Sequence, residues 1–505
     1  MSPPYDELKK TLLEVGTLTS VGSLLSWDQE TMMPPKAAGF RAEELAMISS
    51  LAHRRFTDPR VGDLLAACEE NPELLTDPVE SANLREIRRD YERARKLPTE
   101  LVAEMSETSS RAMEAWKHAR KDSDFETFRP WLEKQVRLNR QKAECYGAPE
   151  GGDTYDALME DFEPGMRDAE LEQIFTPLRE ALTLLIGELT SSPHQPDCSP
   201  CTLKLPIAKQ RAFNHLVAEQ VGYDFKAGRL DTSAHPFTDG LAPGDTRITT
   251  RYSETGFMES LYSTLHEAGH ALYEQGLPKN GRHGQPLSQA IGLGIHESQS
   301  RMWENQVGRS RAFWQWALPL AKKEFGAPLD SFEVDDYYRA VNFVQPSLVR
   351  TGSDEVTYNL HIMLRFHIER ALIRGDLPVA DVPAAWNERI KLDLGLDVPD
   401  DRHGCLQDIH WSAGSLGYFP TYTLGNLYAA QLWESVTSQI PDLDDQMARG
   451  EFGGILEWLR MNIHRHGRRY AAHEICTELT GRPLDHEPLV RYLEAKLKPV
   501  YQEKG

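Results

Sequence analysis

The sequence is poor in cysteine, lacks any long apolar run and has no excess of basic residues. Six cysteines among 505 residues are too few for the disulfide framework of a small secreted protein. No apolar stretch approaches the ~18 residues that a membrane-spanning helix requires. The first ten residues, MSPPYDELKK, do not show the charged-then-apolar pattern of a secretory signal. We therefore predict a cytosolic protein.

The balance of charge excludes two classes of binding partner. Acidic residues outnumber basic residues by 77 to 56, which gives a formal net charge of −21. A general nucleic-acid binder needs a basic face, and a protein that docks on anionic lipid needs basic clusters. We therefore expect neither nucleic acid nor a membrane as a partner. The acidic surface is interpreted as a source of solubility.

Cys198 and Cys201 form a C-x-x-C pattern in the stretch SSPHQPDCSPC. A redox motif of this kind opens a helix after a strand. A structural zinc site needs a second cysteine pair. Here the pattern lies between prolines and no second pair accompanies it, so we interpret it as an incidental feature of a loop.

Most of the chain has the composition and spacing of helices. Residues 1–221 contain good helix formers with apolar residues spaced near 3.6, separated by turn signals such as MPPK and FEPG. Residues 222–252 indicate two or three short strands, because Thr, Tyr and Phe are broken there by Gly and Pro. Helices resume at 257–308 and 309–505. The predicted fold is mainly α with a small sheet, in a single domain over 1–505; a separate N-terminal binding domain is the alternative.

The stretch FMESLYSTLHEAGHALYEQG, from Phe257 to Gly276, predicts one amphipathic helix. Within it, His266 and His270 lie four residues apart, so both imidazoles project from the same side about one turn apart. Glu267 lies between them, where it can reach a water on a metal ion. This is the H-E-x-x-H arrangement of zinc peptidases. A solvated polar stripe on the helix is the competing interpretation.

The following run LSQAIGLGIHESQSRMWEN offers the third ligand that a catalytic zinc site requires. Glu297 is a carboxylate on a predicted second helix that can pack against the first, and two histidines with one glutamate form a known catalytic site. His296 is the rival ligand. Because adjacent helical residues point in different directions, we expect only one of the two to bind, and we favour Glu297.

Two arginines are candidates for binding an anionic group. Arg350 stands just before a strongly helical run that begins TGSDEV, with Ser353 as the predicted cap, and a guanidinium at the positive end of a helix can clamp an anion. On the predicted strands, Asp245, Arg247 and Thr249 alternate and share one face. They either orient substrate or form a structural salt bridge. A strand at this place could hold a peptide at a sheet edge or simply brace the helix.

A glycine-rich loop followed by a helix, DRHGCLQDIHWSAGSLGYFPTYTLGNLYAAQLW, is dense in polar and aromatic side chains. Loops of this kind often carry functional residues. His410, next but one to Asp408 and near Tyr418 and Tyr422, is a candidate functional group, with a structural hydrogen-bonding role as the alternative.

The chain resembles the carboxypeptidase Taq family of metallopeptidases over essentially its whole length. The resemblance rests on SLLSWDQETMMPP near the start, HEAGHALYEQG and HESQSRMWEN at the predicted metal site, DTRIT from 245, VRTGSDEVTYNLHI from 349, and GCLQDIHW from 404. One block departs from the family pattern, because the usual Ile-Arg-x-x-Ala-Asp reads VRTGSD at 349–354. Its arginine and its acid are kept.

This resemblance implies a mostly helical homodimer with a long substrate groove and a small sheet beside the metal. It also implies removal of single residues from free peptide C-termini with broad specificity, resistance to proline, and zinc or cobalt as the ion. By position, His266, His270 and Glu297 would hold the ion, and Glu267 would be the general base.

The chemistry of such a reaction requires further groups. A terminal carboxylate must be recognised, for which Arg350 is the first choice and Arg247 the second, since a guanidinium fork matches a carboxylate. The tetrahedral oxyanion needs a donor, which Tyr418, Tyr422 or His410 can supply. An oligopeptidase or aminopeptidase with the same metal chemistry, and a silent peptide-binding protein, are the rival functions.

Overall fold

Helices dominate the structure, and one small sheet interrupts them. A computed structural model describes residues 3–502. In chain order the α-helices are α1 (Pro3–Thr31), α2 (Ala38–Phe56), α3 (Pro59–Glu69), α4 (Pro72–Thr76), α5 (Pro78–Lys96), α6 (Thr99–Asp122), α7 (Phe125–Tyr146), α8 (Thr154–Met159), α9 (Asp168–Thr190), α10 (Ile207–Gln220), α11 (Phe257–Gly276), α12 (Leu293–Arg301), α13 (Arg311–Phe325), α14 (Val334–Val341), α15 (Thr357–Arg374), α16 (Val382–Leu394), α17 (Pro420–Gln439), α18 (Leu443–Ala448), α19 (Gly453–Asn462), α20 (Ala472–Thr480) and α21 (Glu487–Leu497). The strands are β1 (Gly228–Thr232), β2 (Thr238–Ala242) and β3 (Asp245–Thr250). The predicted mainly α class with a small sheet is confirmed.

The chain forms two compact units, each built from three segments. The first contains the residues up to Arg95, Asp197–Val341 and Tyr428–Leu484, and the second contains Lys96–Pro196, Asn342–Leu427 and the residues from Asp485. The assignment of 1–505 to a single domain stays a prediction. Within residues 3–502, no helix combines the length and the apolar character that crossing a bilayer would require.

The sheet belongs to the first unit and has the strand order β1-β3-β2. β1 pairs with β3 in parallel. β2 pairs with β3 in the antiparallel sense, with Thr238 opposite Ile248, and an irregularity separates Asp239 from Ala242. Among the described residues, β2 is therefore an edge strand whose outer side carries no further strand.

The predicted helix from Phe257 to Gly276 is confirmed as α11 with the same bounds. It packs against β2 and β3. Its apolar residues recur at helical spacing and are fully buried; they are Leu261, Leu265, Ala268 and Leu272. The chain leaves the helix at Leu277, directly before Pro278, which cannot continue it. The apolar face is thus what fixes the orientation of the polar residues on α11.

The second predicted helix is present but begins later and ends differently. It starts at Leu293, because Gly292 has an extended backbone, so Ile291 lies outside it. At Met302 the α-helix widens into a π-helical turn, Met302–Val307. Such turns are uncommon and occur often at functional sites.

In the second unit, α15 packs against α7, α8, α9 and α16. α15 carries two fully buried ionisable residues, Arg365 and Glu369. The predicted cap of this helix, Ser353, is wrong, because α15 begins after Val356, whose side chain makes no capping hydrogen bond. Asp354, and not Ser353, accepts hydrogen bonds from the backbone N–H groups of Val356 and Thr357. A carboxylate is among the preferred acceptors for such donors, and its negative charge is favourable at the positive helix end.

The C-x-x-C pattern lies at a short 3-10 turn, Ser199–Thr202, and not at the start of a long helix after a strand. All six cysteines are free thiols. Burial raises the pKa of the Cys201 thiol to about 12, so at neutral pH it is protonated.

Candidate metal centre

Two imidazoles from α11 and one carboxylate from α12 converge on a single point. His270 Nε2 lies 3.2 Å from Glu297 Oε2, and His266 Nε2 lies 3.6 Å from the same oxygen. The three ligand atoms lie within 4.8 Å of one another, which one metal ion can bridge. This is the trio that the sequence predicts.

His296, the rival third ligand, is directed elsewhere. Its Nε2 pairs with Glu274 Oε1 at 3.0 Å, and the same carboxylate receives Lys279 Nζ at 2.5 Å. Its ring stacks on His270 with centroids 4.5 Å apart. Glu274 follows His270 by four residues on α11, so it continues the same polar stripe. His296 therefore packs beside the candidate ligands instead of joining them.

Glu304, which lies in the π-helical turn, orients His266. Its Oε2 is 2.9 Å from His266 Nδ1, and this contact leaves Nε2 of the same ring directed at Glu297. Arg301 bonds both acids, with Nε 2.7 Å from Glu297 Oε1 and NH1 3.1 Å from Glu304 Oε2. Carboxylates behind a ligating histidine typically fix its tautomer and raise its basicity.

At this centre, burial and the neighbouring charges act in opposite directions on the pKa values of the two acids, Glu297 and Glu304. Burial alone would raise the pKa of Glu297, but Arg301 and the two histidines outweigh it and hold that pKa well below the usual range. Burial likewise opposes ionisation of Glu304, yet Arg301 and His266 lower its pKa to about 2. Burial and His296 lower the pKa of His270 to about 3. Glu297 is thus ionised and His270 neutral, as metal binding requires. Burial opposes protonation of His266, but Glu297 and Glu304 outweigh it and raise the pKa of His266, so this imidazole must release its proton when a metal ion binds.

Glu267 occupies the position of the predicted general base. Its side chain is 5% exposed, and burial raises its pKa. The hydroxyl of Thr238, on the edge strand β2, lies 2.6 Å from Glu267 Oε2 and 2.9 Å from the Glu267 carbonyl oxygen, and these two acceptors share its single hydrogen. The sheet thus holds one carboxylate oxygen of Glu267 and leaves the other free of Thr238.

The donor set fits a divalent transition metal ion. Two imidazole nitrogens and one carboxylate oxygen are the ligands of a known catalytic zinc type, which keeps a fourth position for water or substrate. Each of two candidate ligands is also held by hydrogen bonds from behind. Glu304 bonds His266, and Arg301 and the Ser300 hydroxyl bond Glu297.

Arg350, the first choice for a carboxylate site, is buried in a charge network. Its Nε and NH2 lie 3.0 and 2.7 Å from Asp408 Oδ1, and its NH1 donates to the Tyr358 hydroxyl at 2.8 Å. Asp408 also pairs with Arg365, at 2.7 Å from its Nε. Two guanidinium groups thus share one carboxylate, so this trio carries one net positive charge.

Arg247 forms a balanced pair instead. Its Nε and NH2 donate to the two oxygens of Asp245, both at 2.8 Å, and its guanidinium stacks over the Trp27 ring at 4.5 Å. The sequence left two roles open for this strand face, to orient substrate or to form a structural salt bridge, and the observed pairing is a salt bridge. Arg350 and Arg247 are held in different units, and of the two only the Arg350 network leaves an excess positive charge.

The three remaining candidates lie together in the second unit. His410 Nε2 is 3.0 Å from the Tyr422 hydroxyl, and the Tyr418 ring lies 5.3 Å from the imidazole, centroid to centroid. The Arg350 guanidinium packs over the Tyr422 ring at 5.0 Å. The loop and the start of α17 therefore bring hydroxyl and imidazole donors beside the arginine network.

A second acidic cluster in the described residues, Asp153, Asp156 and Asp168, also has ligand-like spacing. Its oxygens are already occupied. Asp153 and Asp156 cap α8 reciprocally, Asp156 accepts from the Asp168 backbone, and Arg374 pairs with Asp153 and Asp168. This cluster is accounted for by helix capping.

Comparison with known proteins places this geometry in a family. The model of the carboxypeptidase Taq (M32) metallopeptidases matches residues 7–497. The chain is 44% identical to thermostable carboxypeptidase 1 of Thermus thermophilus, covering 98% of this chain and 99% of that protein. It is 36% identical to carboxypeptidase 1 of Bacillus subtilis, covering 98% of each.

The fold agrees with the sequence comparison. The crystal structure of the M32 carboxypeptidase from Deinococcus radiodurans superimposes with a TM-score of 0.94 and 38% identity, covering 99% of this chain and all of that one. On these grounds the chain belongs to the carboxypeptidase Taq (M32) family of metallopeptidases.

Proposed function

We propose that this protein removes single residues from the free C-termini of peptides, with Glu267 as the general base and His266, His270 and Glu297 as metal ligands. Membership of the family makes it a metallocarboxypeptidase. The residue roles are supported by one observation above all. Two Nε2 atoms and one Oε2 converge within 4.8 Å, with Glu267 beside them in the same turn of α11.

A divalent metal ion is the cofactor, and we propose zinc, with cobalt as an alternative. The mixed nitrogen and oxygen donor set suits both ions better than it suits magnesium or calcium, which take oxygen ligands. When bound, such an ion supplies a positive charge that acidifies water and polarises a carbonyl group. Arg301 keeps Glu297 ionised, and Glu304 orients the His266 ring.

Glu267 carries the proton. It accepts a proton from the attacking water at the carboxylate oxygen that Thr238 does not hold, and it then delivers that proton to the nitrogen of the leaving residue. Burial raises the pKa of Glu267, which makes its carboxylate a stronger base toward the attacking water. Burial of Glu267 keeps bulk water from competing for the proton.

Arg350 is proposed to bind the terminal carboxylate of the substrate. The trio of Arg350, Arg365 and Asp408 carries one excess positive charge, which a substrate carboxylate would neutralise. Arg247 is the second choice, because Asp245 already neutralises it. Charge-assisted hydrogen bonds of a guanidinium to a carboxylate are strong and directional.

Donors for the developing oxyanion are proposed among Tyr418, Tyr422 and His410. All three side chains end in a hydrogen-bond donor, and His410 and Tyr422 are bonded to each other. The edge strand β2 is proposed to align the substrate backbone by adding it as a further strand.

The remaining proposals follow the family. We propose a homodimer with broad specificity that resists proline near the cleaved bond. We also propose a cytoplasmic location, which the six free thiols support because reducing compartments keep cysteines in that form.

The direction of attack is tested by mass spectrometry of peptides digested with the zinc-loaded protein. A ladder shortened from the carboxyl end is expected, and amidation of the C-terminus should abolish it. Glu267→Gln should retain the metal and lose turnover by several orders of magnitude. A ladder from the amino end, or internal cleavage unaffected by amidation, would instead support an aminopeptidase or an oligopeptidase.

A further inference from the structure

The edge strand that holds Glu267 also carries a carboxylate without a partner. Asp239 follows Thr238 on β2. Within residues 3–502, no hydrogen-bond donor or cationic group pairs with its carboxylate, whereas the neighbouring acids are paired. Glu274 is bonded by Lys279 and His296, and Asp245 is bonded by Arg247.

The charged groups that act on Asp239 therefore cancel one another. They are Glu274 and Lys279 on one side, and Asp245 and Arg247 on the other. Each acid already has its base, so Asp239 contributes an excess negative charge. Burial is the main reason that the pKa of Asp239 rises to about 6, since the ionised form loses water without gaining a partner.

The position of Asp239 relates it to the bond that is cleaved. Thr238 touches the reacting carboxylate of Glu267 at 2.6 Å. Successive residues of a strand advance by about 3.4 Å and point to opposite faces of the sheet. Asp239 therefore lies on the face opposite Thr238 and directly across from Arg247, where a peptide added along β2 would place the side chain of every second residue. The next residue, Gly240, holds the strand close to α11, because a Cβ there would lie 2.2 Å from Glu274 Oε2. Asp239 is thus carried on a fixed element.

We propose that Asp239 is a specificity-determining residue that binds the cationic side chain of a substrate residue adjoining the scissile bond. An ammonium or guanidinium group would supply the missing partner and form a partly buried ion pair. The proposal rests on the carboxypeptidase function above. It adds a preference for lysine and arginine that the family assignment does not contain. The competing view is that Asp239 is a surface acid without a ligand.

The test compares lysine with norleucine, which keeps the chain of carbons and removes the charge. Two peptide pairs are used, one with lysine or norleucine as the released residue and one with either as the penultimate residue. With the zinc-loaded protein at pH 7.5 and fixed ionic strength, we expect kcat/KM to favour lysine about tenfold in one pair, which corresponds to one ion pair. The pair that shows the preference identifies the subsite.

Variants separate this charge effect from folding. Asp239→Asn should remove the preference, and Asp239→Lys should reverse it. Asp231→Asn is the matched control, because Asp231 lies on β1, at the opposite edge of the sheet, and is paired with Arg229; its lysine preference should equal that of the parent. Asp239→Asn should melt no lower than the parent at pH 7.5, since it removes a carboxylate that burial disfavours.

Equal rates for lysine and norleucine in both pairs, or a preference that survives Asp239→Asn, would overturn the assignment. Neither result would touch the proposed function, which the cleavage of the norleucine peptides reports separately. Loss of cleavage of all four peptides by the parent would refute the carboxypeptidase function itself.

Discussion

Gly269, between Glu267 and His270 on α11, is in contact with the backbone of Ser300 on α12. A Cβ on residue 269 would lie 2.6 Å from Ser300 Cα and 2.7 Å from the Gln299 carbonyl oxygen. Neither atom belongs to a flexible side chain. The absence of a side chain at 269 therefore allows α12 to approach closely enough for Glu297 to reach the two histidines.

This contact predicts that Gly269→Ala will weaken metal binding. The added methyl group must push α12 away by several tenths of an ångström, which moves Glu297 from its position opposite His266 and His270. We expect metal affinity to fall at least tenfold, because ligand placement tolerates only small errors. Competition with a chromophoric chelator measures it.

Gly187→Ala is the matched control for the helix itself. Gly187 lies inside α9, and apart from its chain neighbours and the nearby backbone of its own helix, no atom lies within 4 Å of the position its Cβ would take. This change should stabilise the protein by up to about 1 kcal/mol, since alanine is the better helix former, and it should leave metal affinity unchanged. Equal metal affinity in Gly269→Ala and the parent would show that α12 adapts.

Glu304 provides a second test of the metal centre. Glu304→Gln keeps a hydrogen-bond acceptor for His266 Nδ1 but removes the charge that raises the basicity of the ring. We expect metal affinity to fall about 10- to 100-fold. Glu333→Gln, at a side chain that is 80% exposed, should have no effect on metal affinity. An unchanged affinity in Glu304→Gln would mean that hydrogen bonding alone, and not charge, orients His266.

Arg350→Gln tests the proposed recognition of the terminal carboxylate. Asp408 would keep Arg365 as a balanced partner, so the change should spare the fold and remove the excess positive charge. We expect kcat/KM on peptides with free C-termini to fall about 10- to 100-fold, mainly through KM, as for one lost charged hydrogen bond. Arg247→Gln should show a smaller loss. The reverse order of the two effects would transfer the role to Arg247.

The parts of the site that depend on residues close together in the sequence could be predicted from the sequence. α11 and its His266–His270 pair were predictable because helical periodicity and the four-residue spacing are local. Glu297 could be proposed as the third ligand because a catalytic zinc site with two histidines needs one more protein ligand, and the following run of sequence offered a carboxylate. The resemblance to a known family supplied what local pattern could not, including the direction of cleavage.

The groups that sequence reasoning missed act over long range or through irregular backbone. Glu304 approaches His266 from the π-helical turn, and regular helical geometry from Glu297 onward does not predict that placement. Thr238 meets Glu267 across the packing of sheet on helix, 29 residues away, with no signal in the sequence. Asp408 lies in the same block as His410, but its pairing with two arginines depends on the position of α15 relative to the loop.

The buried carboxylate of Glu369 leads us to expect that the stability of the second unit depends on pH. Its carboxylate is fully buried on α15 and accepts hydrogen bonds from the Tyr155 hydroxyl, Trp411 Nε1 and the Gly417 backbone at 2.9, 2.9 and 3.0 Å. These contacts tie the loop that carries His410 and Tyr418 to the helix. Burial nevertheless raises the pKa of Glu369 from 4.5 to about 7.

The direction of this pH dependence follows from the proton that Glu369 binds in the folded protein. Between pH 4.5 and about 7 the folded protein keeps a proton on Glu369 that the unfolded chain has released. The stability due to this group is therefore complete below pH 4.5 and declines as pH rises through 7. The decline amounts to about 3 kcal/mol at most, from the size of the pKa shift.

Glu369→Gln isolates this contribution, because glutamine does not titrate. An amide nitrogen must also face one of the three donors, so the variant should be less stable than the parent at pH 5, by about 1–3 kcal/mol. The free energy of unfolding, measured in denaturant at pH 5 to 8 with saturating zinc, should then differ less between the two proteins as pH rises. Parallel curves for the parent and the variant would mean that Glu369 is ionised throughout, held by its three hydrogen bonds in spite of its burial.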